Sequence, residues 1–384
     1  MDDHTPTPIH VGIAYKFKDA PFAVSFGLTN PFGLITDWSS DPNFVGRYAA
    51  WRTDLRTFDY QLNGSMAFGG GWAGSVGIDY LYVDLRNFSK WLPVPASNPG
   101  IPGLSPYFIA NTLQDLEGTG HKIGWNASLH YKNPQWSFGL TYRSKIDVEG
   151  KGKMTFTPIN VIDPNLGDVL PANVVAAVQA GVAANLPSGG ATATLRLPAN
   201  YGVGIAYTGL PKWQFELDVH RIEWSHFNEV PVELETPIAV MTPLGPAVTN
   251  HLVVDESWKS TTSIRFGTSY DINDKNQLRA GVYTESNAIP TQTLRPSIPD
   301  GKRTGVSLGY GLHFGKLSFD LYYLHIFVED RTVAVSDTTA TTVNPSSIAP
   351  AVGLGYYGNA GELGRTGKYT SGIDLLGLTM GYKF

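Results

Sequence analysis

The residues of this chain that could do chemistry fall into three sets. Asn126, Ser128 and His130 put a hydroxyl beside an imidazole and raise the possibility of a hydrolase. Their alternate spacing, however, places them along one extended strand about 7 Å apart, which is too regular to assemble a nucleophilic triad. No histidine group has metal-ligand spacing, and Gly70-Gly71-Trp72-Ala73-Gly74 lacks the lysine of a phosphate loop. With zero cysteines there is no thiol, disulfide or zinc-thiolate chemistry, so no cofactor is implied. The second set is charged and polar: Arg143, Lys145, Asp147, Glu149, Lys151, Asp218, His220, Arg265, Arg279, His313 and Asp320. Each sits on the polar parity of an alternating segment, where it suits cross-interior ion pairs; Arg143 or Arg279 could also meet a carboxylate. The third set is apolar and unexpectedly wet. Trp91, Leu92, Phe108, Ile109, Leu113, Val174, Val175 and Val178 lie in long connections; exposed apolar surface of that kind marks a binding surface for hydrophobic molecules, unless the connections pack on each other as a cap.

The elements that must position these residues are β-strands. Leu376, Leu378, Met380, Tyr382 and Phe384 share one parity, with Gly377, Thr379, Gly381 and Lys383 on the other. Twelve earlier segments repeat this period of two, from Ile9/Val11/Ile13/Tyr15/Phe17 through Trp136/Phe138/Leu140/Tyr142 to Leu317/Phe319/Leu321/Tyr323. A soluble β-sandwich also alternates, but its inner faces favour Val, Ile and Leu without ordered aromatics. Here Trp, Tyr and Phe recur near segment ends, as in an interfacial belt, and the opposite faces are too polar for a packed core. Aromatics at 12%, 42 glycines and 16% charged residues suit short strands and irregular loops. Mean hydropathy is −0.11 and no apolar run reaches the roughly 18 residues of a membrane helix. Barrel strands need only about 10 alternating residues. The fold class expected is therefore all-β, one transmembrane antiparallel barrel over residues 1–384 in the bacterial outer membrane. The net charge of −5, without any Lys/Arg run, gives no support for a nucleic-acid partner, and none is expected.

Connections alternate between short (18–21, 69–71, 132–134, 209–211, 273–274, 315–316) and long (36–50, 90–120, 157–190, 236–257, 288–302, 334–366). Barrels of this class keep tight turns in the periplasm and long loops outside. Leu170–Leu186, with Pro171 near its start, reads as a short helix in one long loop. The alternation gives thirteen strands, with the first and the last running in the same direction. A bacterial antiparallel barrel needs an even number, so an upstream strand is expected to be absent and a seam is expected between residues 9–17 and 373–384. Segment 1–8 has no signal-peptide character.

Several stretches resemble the FadL-type outer-membrane transporters of long-chain fatty acids and other hydrophobic compounds. They are Thr29–Asp37 with Gly46-Arg47-Tyr48, Leu140–Lys151 with its Thr-Tyr-Arg-Ser run, Trp224-Ser225-His226-Phe227, and Ser297–Arg303. The resemblance keeps order and spacing along essentially the whole chain. The family's N-terminal plug and first strand have no counterpart here, and an intact member would have fourteen strands. It implies a monomeric channel, not an enzyme, whose partners are hydrophobic small molecules, outer-membrane lipid and, through Phe384, the barrel-assembly machinery.

By the same resemblance, apolar outer loops capture substrate and a gap in the wall releases it sideways. The gap falls at a kink in the family's third strand, here Asn30-Pro31-Phe32-Gly33. The residues themselves agree: Pro31 has no N–H for a ladder, and Gly33 tolerates dihedrals that break pairing. Pro31 could equally end its strand above the membrane. A water-filled porin is the alternative function, with a barrel hydrolase third.

Overall fold

The computed structural model describes residues 9–98, 100–163, 166–167, 170–242, 245–337 and 364–382. In chain order the strands are β1 (His10–Lys16), β2 (Phe22–Thr29), β3 (Gly33–Asp37), β4 (Arg52–Gly69), β5 (Trp72–Ser97), β6 (Tyr107–Lys132), β7 (Trp136–Arg143) and β8 (Ile146–Ile162). They continue as β9 (Gly189–Leu197), β10 (Asn200–Leu210), β11 (Trp213–Ile222), β12 (Glu229–Thr242), β13 (Gly245–Asp255), β14 (Thr261–Asn273) and β15 (Asn276–Glu285). The last are β16 (Arg303–Phe314), β17 (Leu317–Val328), β18 (Arg331–Val333), β19 (Gly367–Tyr369) and β20 (Gly372–Tyr382), and the helix α1 spans Ala172–Asn185. Eighteen strands form one sheet, antiparallel at every pairing; β18 and β19 make a separate two-stranded ribbon.

All thirteen alternating segments lie in this sheet, and their apolar rows point out of it. Ile13, Leu62, Val76, Ile123, Leu308 and Leu376 are each more than 60% exposed, while Leu81 and Val83, of the opposite parity on β5, are buried inside together with Ile146 and Val148 of β8. Such an exposed apolar band is stable only against lipid. Aromatic contacts gird it near the tight turns, where Trp72, Tyr131, Phe138, Trp136 and Tyr207 touch in sequence. A second row, Trp125, Tyr142 and Tyr201, runs nearer the loops. Gly69, Gly70 and Gly71 all take positive φ, the left-handed geometry that a three-glycine hairpin turn makes cheap. Among the described residues, β1 pairs only with β2 and β20 only with β17, so the expected seam lies between them. Phe384 lies outside the described residues, as does most of the 334–366 connection.

The structure changes three expectations. Segment 90–120 is mostly strand: β5 and β6 are each 26 residues long and stay paired from Trp72↔Tyr131 up to Ser97↔Tyr107. A membrane strand takes about 9–11 residues, so this hairpin rises well above the bilayer. Pro93 and Pro95 are tolerated because β4 stops pairing with β5 at Ser89, leaving the upper part of β5 an edge. Likewise, 236–257 contains much of the β12–β13 hairpin. The third change concerns parity. The β6 register passes from Asn126↔Arg143 to Gly120↔Gly150, a one-residue slip at Ser144–Lys145. Lys145, Asp147, Glu149 and Lys151 are thereby turned to the face opposite Ile146 and Val148 and are exposed, not inside the barrel.

Candidate functional site

The interior is built in two halves of different character. At the loop end, α1 carries Val174, Val178 and Val182 on one buried stripe and lays it on β5, β6 and β8. Pro171 sits at its N-cap position, the proline expected near the helix start. The stripe joins Phe108, Ala110, Leu116, Met154, Phe156, Val232 and Leu234 in the main apolar cluster, with Leu92 and Val175 packed against it. Five of the eight expected capture residues are thus brought together. Trp91 is not among them: it is buried on the other side, against Tyr48 and Trp51, with the Arg47 guanidinium 5.3 Å from its ring. Ile109 is fully buried and Leu113 half-buried. An open groove of about 730 Å³ runs along the cluster, lined by Leu92, Val94, Phe156, Val178, Val182 and Ile238 among others.

Below that cluster lies a smaller cavity of about 100 Å³, walled by Leu34, Leu55, Val83, Leu116, Val148, Leu195 and Val232. Its charged groups are Glu117, Glu256 and Arg295. Glu117 is ion-paired to Lys153 at 3.1 Å. Arg295 is ion-paired to Glu256, whose side chain is 5% exposed and also accepts the Trp258 indole N–H at 3.0 Å. Burial pushes the Glu256 carboxyl above the ordinary range, with Arg295 pulling the other way. Arg295 arrives on the 286–302 connection, which folds against the interior. The Thr36 hydroxyl donates to Ser297 O at 3.1 Å and the Trp38 indole to Pro296 O at 3.2 Å.

Leu34, on the wall of this cavity, follows directly on the break in the barrel. β2 pairs with β4 up to Thr29↔Asp59, and β3 resumes at Gly33↔Arg56, so three residues on one strand face two on the other. Residues 30–32 make no ladder contact, and side chains fill in. Asn30 Nδ2 donates to Thr57 O at 2.5 Å, and Asn30 Oδ1 accepts the Ile9 N–H at 2.6 Å. On its other edge β3 has no partner among the described residues. Phe32 turns inward onto Leu81, Val83, Ile146 and Val148 and meets Trp224 edge-on at 5.7 Å. The stretches 29–37, 224–227 and 297–303, far apart in sequence, therefore converge on one place.

Directly beside the break, Arg143 is shared between two fully buried carboxylates, Asp59 and Asp79. Gln61 and Asn126 each donate one further hydrogen bond, at 2.6 Å, to Asp59 and Asp79 respectively. Sequence reasoning named Arg143 but missed both aspartates, although each lies on the polar parity of its strand. Toward the tight turns the interior is a polar chamber of about 810 Å³. It contains Arg265, Arg279, Glu216, Glu285 and Asp320, with Arg279 paired to Asp320 at 2.8 Å. Asp218 lies opposite Arg265 across β11–β14, and His220 is two residues further along the same face. Among the described residues no acidic or histidine cluster could hold a metal ion.

Comparison with known proteins agrees with this architecture. Residues 9–383 match the family model described as outer membrane protein transport protein (OMPP1/FadL/TodX). A long-chain fatty acid transport protein of Salmonella typhi is 26% identical over 320 residues, covering 80% of this chain and 68% of that protein. Its counterpart in Escherichia coli K12 is 24% identical over 330 residues, covering 80% and 69%. Among solved structures, a Pseudomonas aeruginosa FadL homologue superposes with a TM-score of 0.72 at 20% identity, over 97% of this chain and 77% of that one. The Pseudomonas putida toluene transporter TodX gives 0.57 at 18% identity, over 84% and 76%. The barrel, its lipid-facing apolar band and a match spanning the described strands lead to one conclusion: the chain belongs to the OMPP1/FadL/TodX family of outer-membrane transport proteins.

Proposed function

We propose that this barrel carries hydrophobic compounds across the outer membrane. On this reading they are captured in the groove along α1, pass the apolar cavity and leave sideways through the wall at residues 30–32. The observation that carries the reading is adjacency: Leu34 and Leu55 line the cavity, and the ladder between their strands is interrupted immediately before Gly33. A lipid-facing wall tolerates interrupted pairing only where other groups satisfy the freed backbone, and Asn30 and Thr57 supply such groups here, which is the mark of a built opening. Transport of fatty acids and of toluene by relatives named for those substrates supports the substrate class. The polar chamber near the tight turns favours a second reading, a water-filled porin. Pro31→Val restores a ladder donor, and uptake of hydrophobic compounds should fall severalfold while barrel assembly and sugar flux stay unchanged. Unchanged hydrophobic uptake, or an equal loss of sugar flux, favours the porin.

A further inference from the structure

We propose that Glu256 is a specificity-determining residue that closes the apolar cavity to anionic headgroups, so that the cavity takes uncharged molecules. The inference rests on the hydrophobic-transport reading above and deepens it. It starts from the charges at the cavity. Arg295 is its only cation among the described lining residues, and that cation is committed. Glu256 neutralises it, Ser297 Oγ accepts its Nε–H at 3.0 Å, and Phe88 covers the guanidinium at 5.9 Å. Glu117, the remaining charged group, is already paired with Lys153.

A carboxylate entering this space sheds its water and finds the buried carboxylate of Glu256 and no uncommitted cation, the Glu117 side chain being half-exposed beside Lys153 on the outer face. Burying a charge without a partner is strongly unfavourable. A neutral molecule pays no such penalty and meets Leu, Val and Phe walls. Size limits the occupant: at about 100 Å³ the space is smaller than the engineered cavity of about 150 Å³ that holds benzene, so it takes a small apolar group entering from its open side.

Glu256 acts through Arg295, so it is a positioning residue, and its removal should invert a preference, not merely weaken binding. The purified barrel is titrated with toluene and with benzoate, the same ring bearing a methyl or a carboxylate, against detergent micelles as the partition control. The native protein is expected to favour toluene by about tenfold or more. Glu256→Gln keeps the shape and the indole contact but frees the Arg295 charge, and should strengthen benzoate binding by about tenfold. Adding Arg295→Met to that variant should abolish the gain. If Glu256→Gln lowers both affinities alike, or if the native protein prefers benzoate, the role assigned to Glu256 is overturned while the transport reading stands. Binding of neither probe overturns both.

Discussion

Thr57 substitutes for a strand neighbour at Phe32: its hydroxyl accepts the Phe32 N–H at 3.0 Å and donates to the Phe32 carbonyl. Both backbone groups of Phe32, the last residue of the break, are thus satisfied by one buried side chain, 1% exposed. At Phe32 the ladder is interrupted without leaving the backbone orphaned, which is how a lipid-facing sheet can carry a break.

Thr57→Val keeps the shape and removes the hydroxyl. Two backbone groups then lose their partner, each at about 1–3 kcal/mol. Amide exchange at Phe32 and Gly33 should accelerate while β4–β5 pairing remains protected. Unchanged exchange at Phe32 would show that the hydroxyl is not what holds the break.

Arg143 bears on the same region. With Arg143→Met, Asp59 and Asp79 are left as two buried carboxylates sharing no cation, a loss of about 3–5 kcal/mol. The apparent thermal midpoint of the barrel should drop, and Asp59→Asn with Asp79→Asn should recover most of the loss. A midpoint that stays low in the triple variant would mean that Arg143 contributes packing, not charge balance.

The capture surface is testable by contrast. Leu92 and Val178 line the groove, whereas Trp91 faces Tyr48 and Trp51. Leu92→Asn and Val178→Asn should each weaken binding of a hydrophobic probe by about 1 kcal/mol or more. Trp91→Ser should lower stability and leave probe affinity nearly unchanged. Equal affinity losses in all three would place the binding surface elsewhere.

These contrasts also mark what the sequence could reveal. The period of two exposed every membrane strand because lipid demands an apolar row on one face. Asp59 and Asp79 were readable in principle, since each interrupts that row's polar partner between Phe58 and Tyr60 or Ile78 and Tyr80. The upper β5–β6 hairpin was hidden by Pro93 and Pro95, whose strand placement depends on β4 ending early. The slip at Ser144 was equally hidden, because a bulge changes parity without changing composition. Glu256 and Arg295 lie in irregular connections where no period exists, and only tertiary folding brings them together.

Arg295 supplies the last prediction, one of pH. Burial is the larger influence on Glu256 and raises its carboxyl; Arg295 opposes it. Arg295→Met removes the main opposition to burial and leaves only the Trp258 indole hydrogen bond, so the carboxyl rises further above its unfolded value. A group raised on folding contributes stability below its unfolded pKa and loses it as pH rises through the folded value. The variant should therefore lie close to the native protein near about pH 5 and fall behind by about 3–5 kcal/mol toward about pH 9, where Glu256 is buried, ionised and unpaired. Apparent thermal midpoints of the two proteins, taken in one detergent at both pH values, give the comparison. A deficit of equal size at both would mean that the Glu256 charge is already screened, and that the 286–302 connection is held instead by contacts such as Thr36 to Ser297 and Trp38 to Pro296.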